Sequence, residues 1–212
     1  MLRLTYICLI LAMLFALNAG AVEEHVFQYG LDGYENTKDT HITQYTGNNM
    51  NNMGGNLENE CCEYNPANVD AKSILIWFDV SSIPQAAIIG EARLELNMTG
   101  TRNGVTPKDV CAFRLLKDWG EGTGTGIDGR AAKDGESCGQ AAHWPDDKWD
   151  TLCADGEGVD RVEEPDDIIE VDAEVGDWYV WNITEMCQYW INNPDENFGA
   201  ILQEPPDDHN QG

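Results

Sequence analysis

Apolar and polar positions alternate with period two along most of the chain. In "ARLELNM" (92–98), Ala92, Leu94, Leu96 and Met98 fall on one face and Arg93, Glu95 and Asn97 on the other. That is the signature of a half-buried strand. The same reading places Cys111, Phe113 and Leu115 together in "CAFRLL" (111–116), and Tyr179, Trp181 and Ile183 together in "WYVWNI" (178–183). "DTHITQY" (39–45) alternates around Ile42, and "GAILQ" (199–203) is a short strand. "KSILIWFDVSSIP" (72–84) predicts a strand from Ile74 to Val80 that enters a turn ending at Pro84. There Ile74, Ile76, Phe78 and Val80 share one face; Ser73, Leu75, Trp77 and Asp79 share the other. One short helix is predicted over "EMCQYWIN" (185–192), with Thr184 as its N-cap. Long connections rich in Gly, Asn and Asp separate the strands at 46–70 and 118–176. Short strands and long polar loops predict an all-β jelly-roll β-sandwich with one short helix. Tryptophans and cysteines recur through 118–176, so that stretch is expected to fold rather than act as a linker.

The N-terminus departs from this pattern. "MLRLTYICLILAMLFALNAGA" carries Arg3, an apolar run to Leu17, and then the small residues Ala19, Gly20 and Ala21. This is the layout of a secretory signal peptide (1–21), too short in its apolar run for a membrane span. The expectation is a single exported domain over 22–212, located outside the cell or on its surface. The alternative is an uncleaved N-terminal anchor.

Export changes how the cysteines are read. Cys8 leaves with the leader, and Cys61, Cys62, Cys111, Cys138, Cys153 and Cys187 remain. An even number in an exported chain suggests disulfides, with 15 possible connectivities. Cys138 and Cys153 share one polar loop region and are the expected pair; free buried thiols are the alternative. No CxxC or Cys/His spacing of zinc type occurs.

Charge narrows the partners. The chain has 38 Asp+Glu against 12 Lys+Arg, a net charge of −26. Loss of the leader, which holds Arg3 and no acid, makes it −27. Such a field repels nucleic acid, anionic membranes, and anionic polysaccharide unless a cation bridges the two. It favours calcium, whose ligands are carboxylate and carbonyl oxygens. Asp39 with Asn52, and Asp155 with Asp160 in "DGEGVD", are the candidate calcium ligands, set against an ordinary solvated acidic surface. No catalytic motif is present, and carboxylate pairs in so acidic a chain carry no information about hydrolysis.

Several stretches together resemble one family: "FQYGLDGYENTKDTHITQY" (27–45), "NMGG" (52–55), "KSILIWFDVSSIPQAAIIGEARLEL" (72–96), "LKDWGEGTGTG" (116–126) and "WNITEMCQYWINNPDENFGAIL" (181–202). In this order they are similar to the DNRLRE-type domain, the group that includes an alginate-binding class of carbohydrate-binding modules. The resemblance implies a jelly-roll sandwich in an exported, polysaccharide-handling protein, without catalysis. Phe78, Asp79, Ser81, Ser82, Ile83 and Pro84 match the family's central strand and turn. Asn52 with Gly54, and Asn197 with Gly199, match its two N-x-G turns, and Asn182, Ile183 and Thr184 stand where it usually has Asp-Val-Thr. Three departures stand out. Trp77 replaces a basic or polar residue, the Cys61-Cys62 pair is rare in the family, and a closing strand is expected where the sequence ends in "EPPDDHNQG".

Trp77 beside Asp79 has the composition of a sugar platform, an indole face for the ring and a carboxylate for its hydroxyls. The competing reading puts Trp77 under the 118–176 segment as a second core. Trp119, Trp144 and Trp149 either ring a glycan groove or form that segment's own core, and His143 reads as a structural hydrogen-bonder. Asn97-Met98-Thr99 and Asn182-Ile183-Thr184 are glycosylation acceptors on predicted polar faces. The leading expectation is a calcium-stabilised module that binds polysaccharide. The alternative is a subunit of an extracellular filament or surface layer that binds copies of itself, with "VEEHVFQY" (22–29) completing a neighbour's sheet.

Overall fold

The computed structural model describes residues 22–62, 71–101, 107–126, 130–172 and 174–205, together with the backbone of residues 2–10. The alternating segments form two antiparallel sheets of five strands each. The first runs β11 (Trp178–Asn182), β6 (Arg93–Thr101), β1 (Leu2–Ile10), β2 (His25–Phe27), with β4 (Asn59–Cys61) also paired to β1. The second runs β10 (Asp167–Val171), β7 (Lys108–Arg114), β12 (Ala200–Gln203), β5 (Lys72–Phe78), β3 (Thr37–Thr43). A two-stranded ribbon joins β8 (Ala141–His143) to β9 (Asp147–Lys148). The fold is all-β and sandwich-like, as the alternation predicts.

The inward faces meet as expected. Leu94, Leu96 and Met98 of β6 and Trp181 of β11 pack against Ile74, Ile76 and Phe78 of β5 and Leu202 of β12. Each such side chain contributes about 1.5–3 kcal/mol on burial, so this layer drives the fold.

The second sheet is also covered on its outer face. Ile42, Leu75, Phe113, Leu115 and Ile201 pack under Trp119, Ala142, Trp149, Cys153 and Ala154. Burial on both faces explains why β3, predicted half-buried, has Thr40, His41, Ile42 and Thr43 all inside. The 118–176 segment is therefore folded where it is described, and it supplies this cover.

The helix α1 (Thr184–Asn192) begins at Thr184, so Thr184 is its first residue rather than its cap. Asp166 takes over the capping: its Oδ2 accepts the Met186 N–H at 2.7 Å. The helix buries Met186, Cys187, Trp190 and Ile191, the spacing of one helical face.

All six cysteines of 22–212 are buried free thiols. The expected Cys138–Cys153 bond is absent because the two side chains enter different clusters: Cys138 packs with Ala132 and Ala141, Cys153 with the second core. Residues 2–10, inside the segment read as a leader, form β1 beside β6; residues 1 and 11–21 of that segment lie outside the described residues.

Candidate functional site

Trp77 belongs to the second core, not to an open platform. It is half-buried on β5, and its Nε1 donates to the Asn197 carbonyl at 2.9 Å. Lys38 Nζ sits 5.2 Å from the Trp77 ring and 4.9 Å from the Trp119 ring, held by Asp118 Oδ1 at 3.0 Å and the Trp119 carbonyl at 2.9 Å. The sheet's outward position is thus filled from within. Asp79 is tied into the adjoining turn. Its Oδ1 accepts the Ser81 N–H at 2.9 Å and its Oδ2 the Asn36 amide at 3.1 Å, closing the turn after β5. Those Ser81 hydrogen bonds hold its carboxyl below the ordinary value.

The loop tryptophans form core rather than a groove. Trp119 is 1 % exposed and Trp149 5 %. Their ring nitrogens donate to the carbonyls of Phe198 (3.0 Å) and Cys138 (2.9 Å). Trp144 is half-buried, with Lys148 Nζ 3.7 Å from its ring. His143 bridges Asp118 Oδ2 (3.3 Å) and the Gly135 carbonyl (3.1 Å), a structural role.

Each candidate calcium ligand has protein partners in the structure. Asn52 spends its whole side chain on the backbone: Nδ2 donates to the carbonyls of Glu121 and Ser137, and Oδ1 accepts Gly54 N–H and Gly124 N–H. Asp160 is fully buried and accepts the N–H groups of Asp150, Thr151 and Gly156. Asp155 Oδ1 accepts from the buried Arg161 guanidinium at 2.7 Å and from Gln203 at 2.8 Å. Asp39 accepts the Asn59 amide at 2.8 Å. Burial, then the charge of Glu121, raises its carboxyl to about 7. Among the described residues no group of three or more His, Cys, Asp or Glu is arranged to hold a metal.

The two N-x-G turns share one device. Asn197 Oδ1 accepts the Gly199 N–H and its Nδ2 donates to the Phe78 carbonyl, just as Asn52 ties its own loop to Gly54. Gly199 has φ +86°, and a Cβ there would lie 2.2 Å from the Ile76 carbonyl oxygen.

The exposed tryptophan lies elsewhere, while Tyr29 and Tyr45 are exposed tyrosines. Of the seven tryptophans only Trp178 is exposed, at 46 %. It opens β11, whose burial alternates strictly: Trp178, Val180 and Asn182 point out, Tyr179 and Trp181 in. On the neighbouring strand the partners are Asn97, Glu95 and Arg93, respectively. The outer face of β6 and β11 therefore presents an indole and a valine beside a row of half-exposed amide, carboxylate and guanidinium groups. The sequence carried this signal, because the alternation that turns Tyr179 and Trp181 inward turns Trp178 outward. Both glycosylation acceptors sit on this face. Asn182 is exposed, whereas the Asn97 amide donates to the carbonyls of Gly176 and Asp177 at 3.0 and 3.2 Å.

Among the described residues no helix is long and apolar enough to cross a membrane. No family model matches the chain, and no curated protein matches it.

Proposed function

We propose that the chain is an exported, non-catalytic β-sandwich module of jelly-roll type that binds polysaccharide on the outer face of β6 and β11. The observation that carries this reading is Trp178, an exposed indole on a strand face, opposite Asn97 and diagonal to Glu95, with Arg93 further along the same face. An indole face stacks on the apolar face of a sugar ring, and adjacent polar groups take its hydroxyls. The net charge of −26 directs the preference towards neutral glycans. The test is affinity electrophoresis through gels carrying a neutral glucan, xylan or mannan. Retardation that Trp178→Ala abolishes and Trp77→Ala leaves in place supports the reading. Retardation by none of them sinks it.

A second reading, a self-assembling structural subunit, draws on β1. Residues 2–10 pair with β6, β2 and β4. Leader removal opens those edges, and open edges recruit strands. Residues 22–29 of a neighbouring copy are the candidate donor. Light scattering on protein starting at Val22 decides: ordered polymers favour this reading, and a monodisperse monomer rules it out.

A further inference from the structure

Cys61 closes β4 and Cys62 follows it, and their sulfurs are 3.3 Å apart. Neighbours on an extended strand point to opposite faces. Here the alternation is broken, because Cys62 has φ +75°, a conformation uncommon for a residue with a side chain. Both thiols consequently lie in the inter-sheet core, 0 % and 3 % exposed. The hydrogen bond to Cys61, and then burial, raise the Cys62 thiol well above its ordinary value.

The other cysteines are placed differently. Cys111 and Cys153 belong to the second core and Cys138 to a third cluster. On β7, Val110 and Ala112 face the inter-sheet core and Cys111 faces away, so the sheet itself stands between Cys111 and Cys61. Cys187 shares the first core but sits on α1.

We propose that Cys61 and Cys62 form a disulfide with each other. The oxidant is a disulfide such as oxidised glutathione. During folding, before the pair is buried, one cysteine thiolate attacks it and releases the first glutathione thiol, and the second cysteine then displaces the other. Two protein thiols become one S–S bond, and their protons end on two glutathione thiols. Consecutive Cα atoms lie about 3.8 Å apart, short of the roughly 4.4–6.8 Å that disulfides usually span. The bond is therefore strained and easily reduced. It closes so short a loop that it adds little stability through chain entropy. It is a redox-sensitive latch on the end of β4, whose Asn59 holds Asp39 and His41 of β3. The inference borrows from the export reading only the place where oxidation occurs; glycan binding does not enter it.

The test supplies the oxidant. The reduced full chain is refolded in a mixture of oxidised and reduced glutathione. The soluble monodisperse fraction is alkylated in denaturant and cut with trypsin. Cleavage at Lys38 and Lys72 releases residues 39–72, whose only cysteines are Cys61 and Cys62. The expected peptide is lighter than its reduced form by two hydrogens, unalkylated, and joined to no other peptide. A doubly alkylated 39–72, or one joined to a peptide bearing Cys8, Cys111, Cys138, Cys153 or Cys187, overturns the proposal.

Discussion

Trp178 and Asn97 stand directly opposite each other on β11 and β6, and the Asn97 amide binds the two carbonyls that precede Trp178, those of Gly176 and Asp177. One side chain thus fixes the turn from which the exposed indole emerges. Asn97→Ala removes both bonds at a partly solvated site. The expected cost is about 1 kcal/mol in denaturant unfolding, with Trp178 still exposed by fluorescence quenching. No loss of stability would mean that the turn holds itself.

Asn197 carries more. Its Nδ2 spans to Phe78, its Oδ1 orders Gly199, and its carbonyl receives Trp77. Asn197→Ala leaves the Phe78 carbonyl without this partner, so urea unfolding should show a loss of roughly 1–3 kcal/mol. Gly199→Ala should cost at least as much. It combines a positive φ with a Cβ placed against the Ile76 carbonyl.

The strands and their inward faces were legible in the sequence because alternation is a local property. Ile74, Ile76 and Phe78, or Tyr179 and Trp181, need only their own neighbours to be assigned. What covers an outward face is not local. Trp77 reads the same whether it meets water or Trp119, which is distant in sequence. The acidic loops are not decided locally either. Glycine-punctuated acids suggest a cation cradle, but Asp160 accepts its own loop's N–H from Gly156, along with those of Asp150 and Thr151. An apolar N-terminal run has the same composition whether it is a leader or a strand such as β1. The outward position of Trp178 is local, and the alternation of β11 alone gives it.

A half-buried and a buried group on β3, Asp39 and His41, give stability a pH signature. Asp39 is raised from 3.8 to about 7, so the folded chain holds a proton there that the unfolded chain releases above pH 3.8. Its contribution is full below pH 3.8 and is lost as pH rises through about 7. His41 acts oppositely. Burial lowers it from 6.5 to about 4, so its contribution is full above pH 6.5 and is lost as pH falls towards 4. Asp39→Asn removes only the first effect. Chemical unfolding from pH 5 to 8 should show the variant gaining on the wild type as pH rises. Parallel curves would contradict this assignment.

Calcium should change little. Asn52 Oδ1, Asp155 Oδ1 and both carboxylate oxygens of Asp160 already accept protein N–H groups. Thermal unfolding midpoints in millimolar calcium and in chelator are expected to coincide. A rise with calcium concentration, the behaviour of a ligand that binds only the folded state, would show that these loops rearrange around the ion.

The most direct test of the central claim is the affinity of wild type and Trp178→Ala for the neutral polysaccharide that retards the wild type, measured with both proteins shown equally folded by circular dichroism. Removing a stacking indole at the centre of a binding face costs about 2 kcal/mol, which is roughly thirtyfold in Kd. A loss of that size places the glycan on the face of β6 and β11. An unchanged Kd would contradict the account and put the binding surface elsewhere.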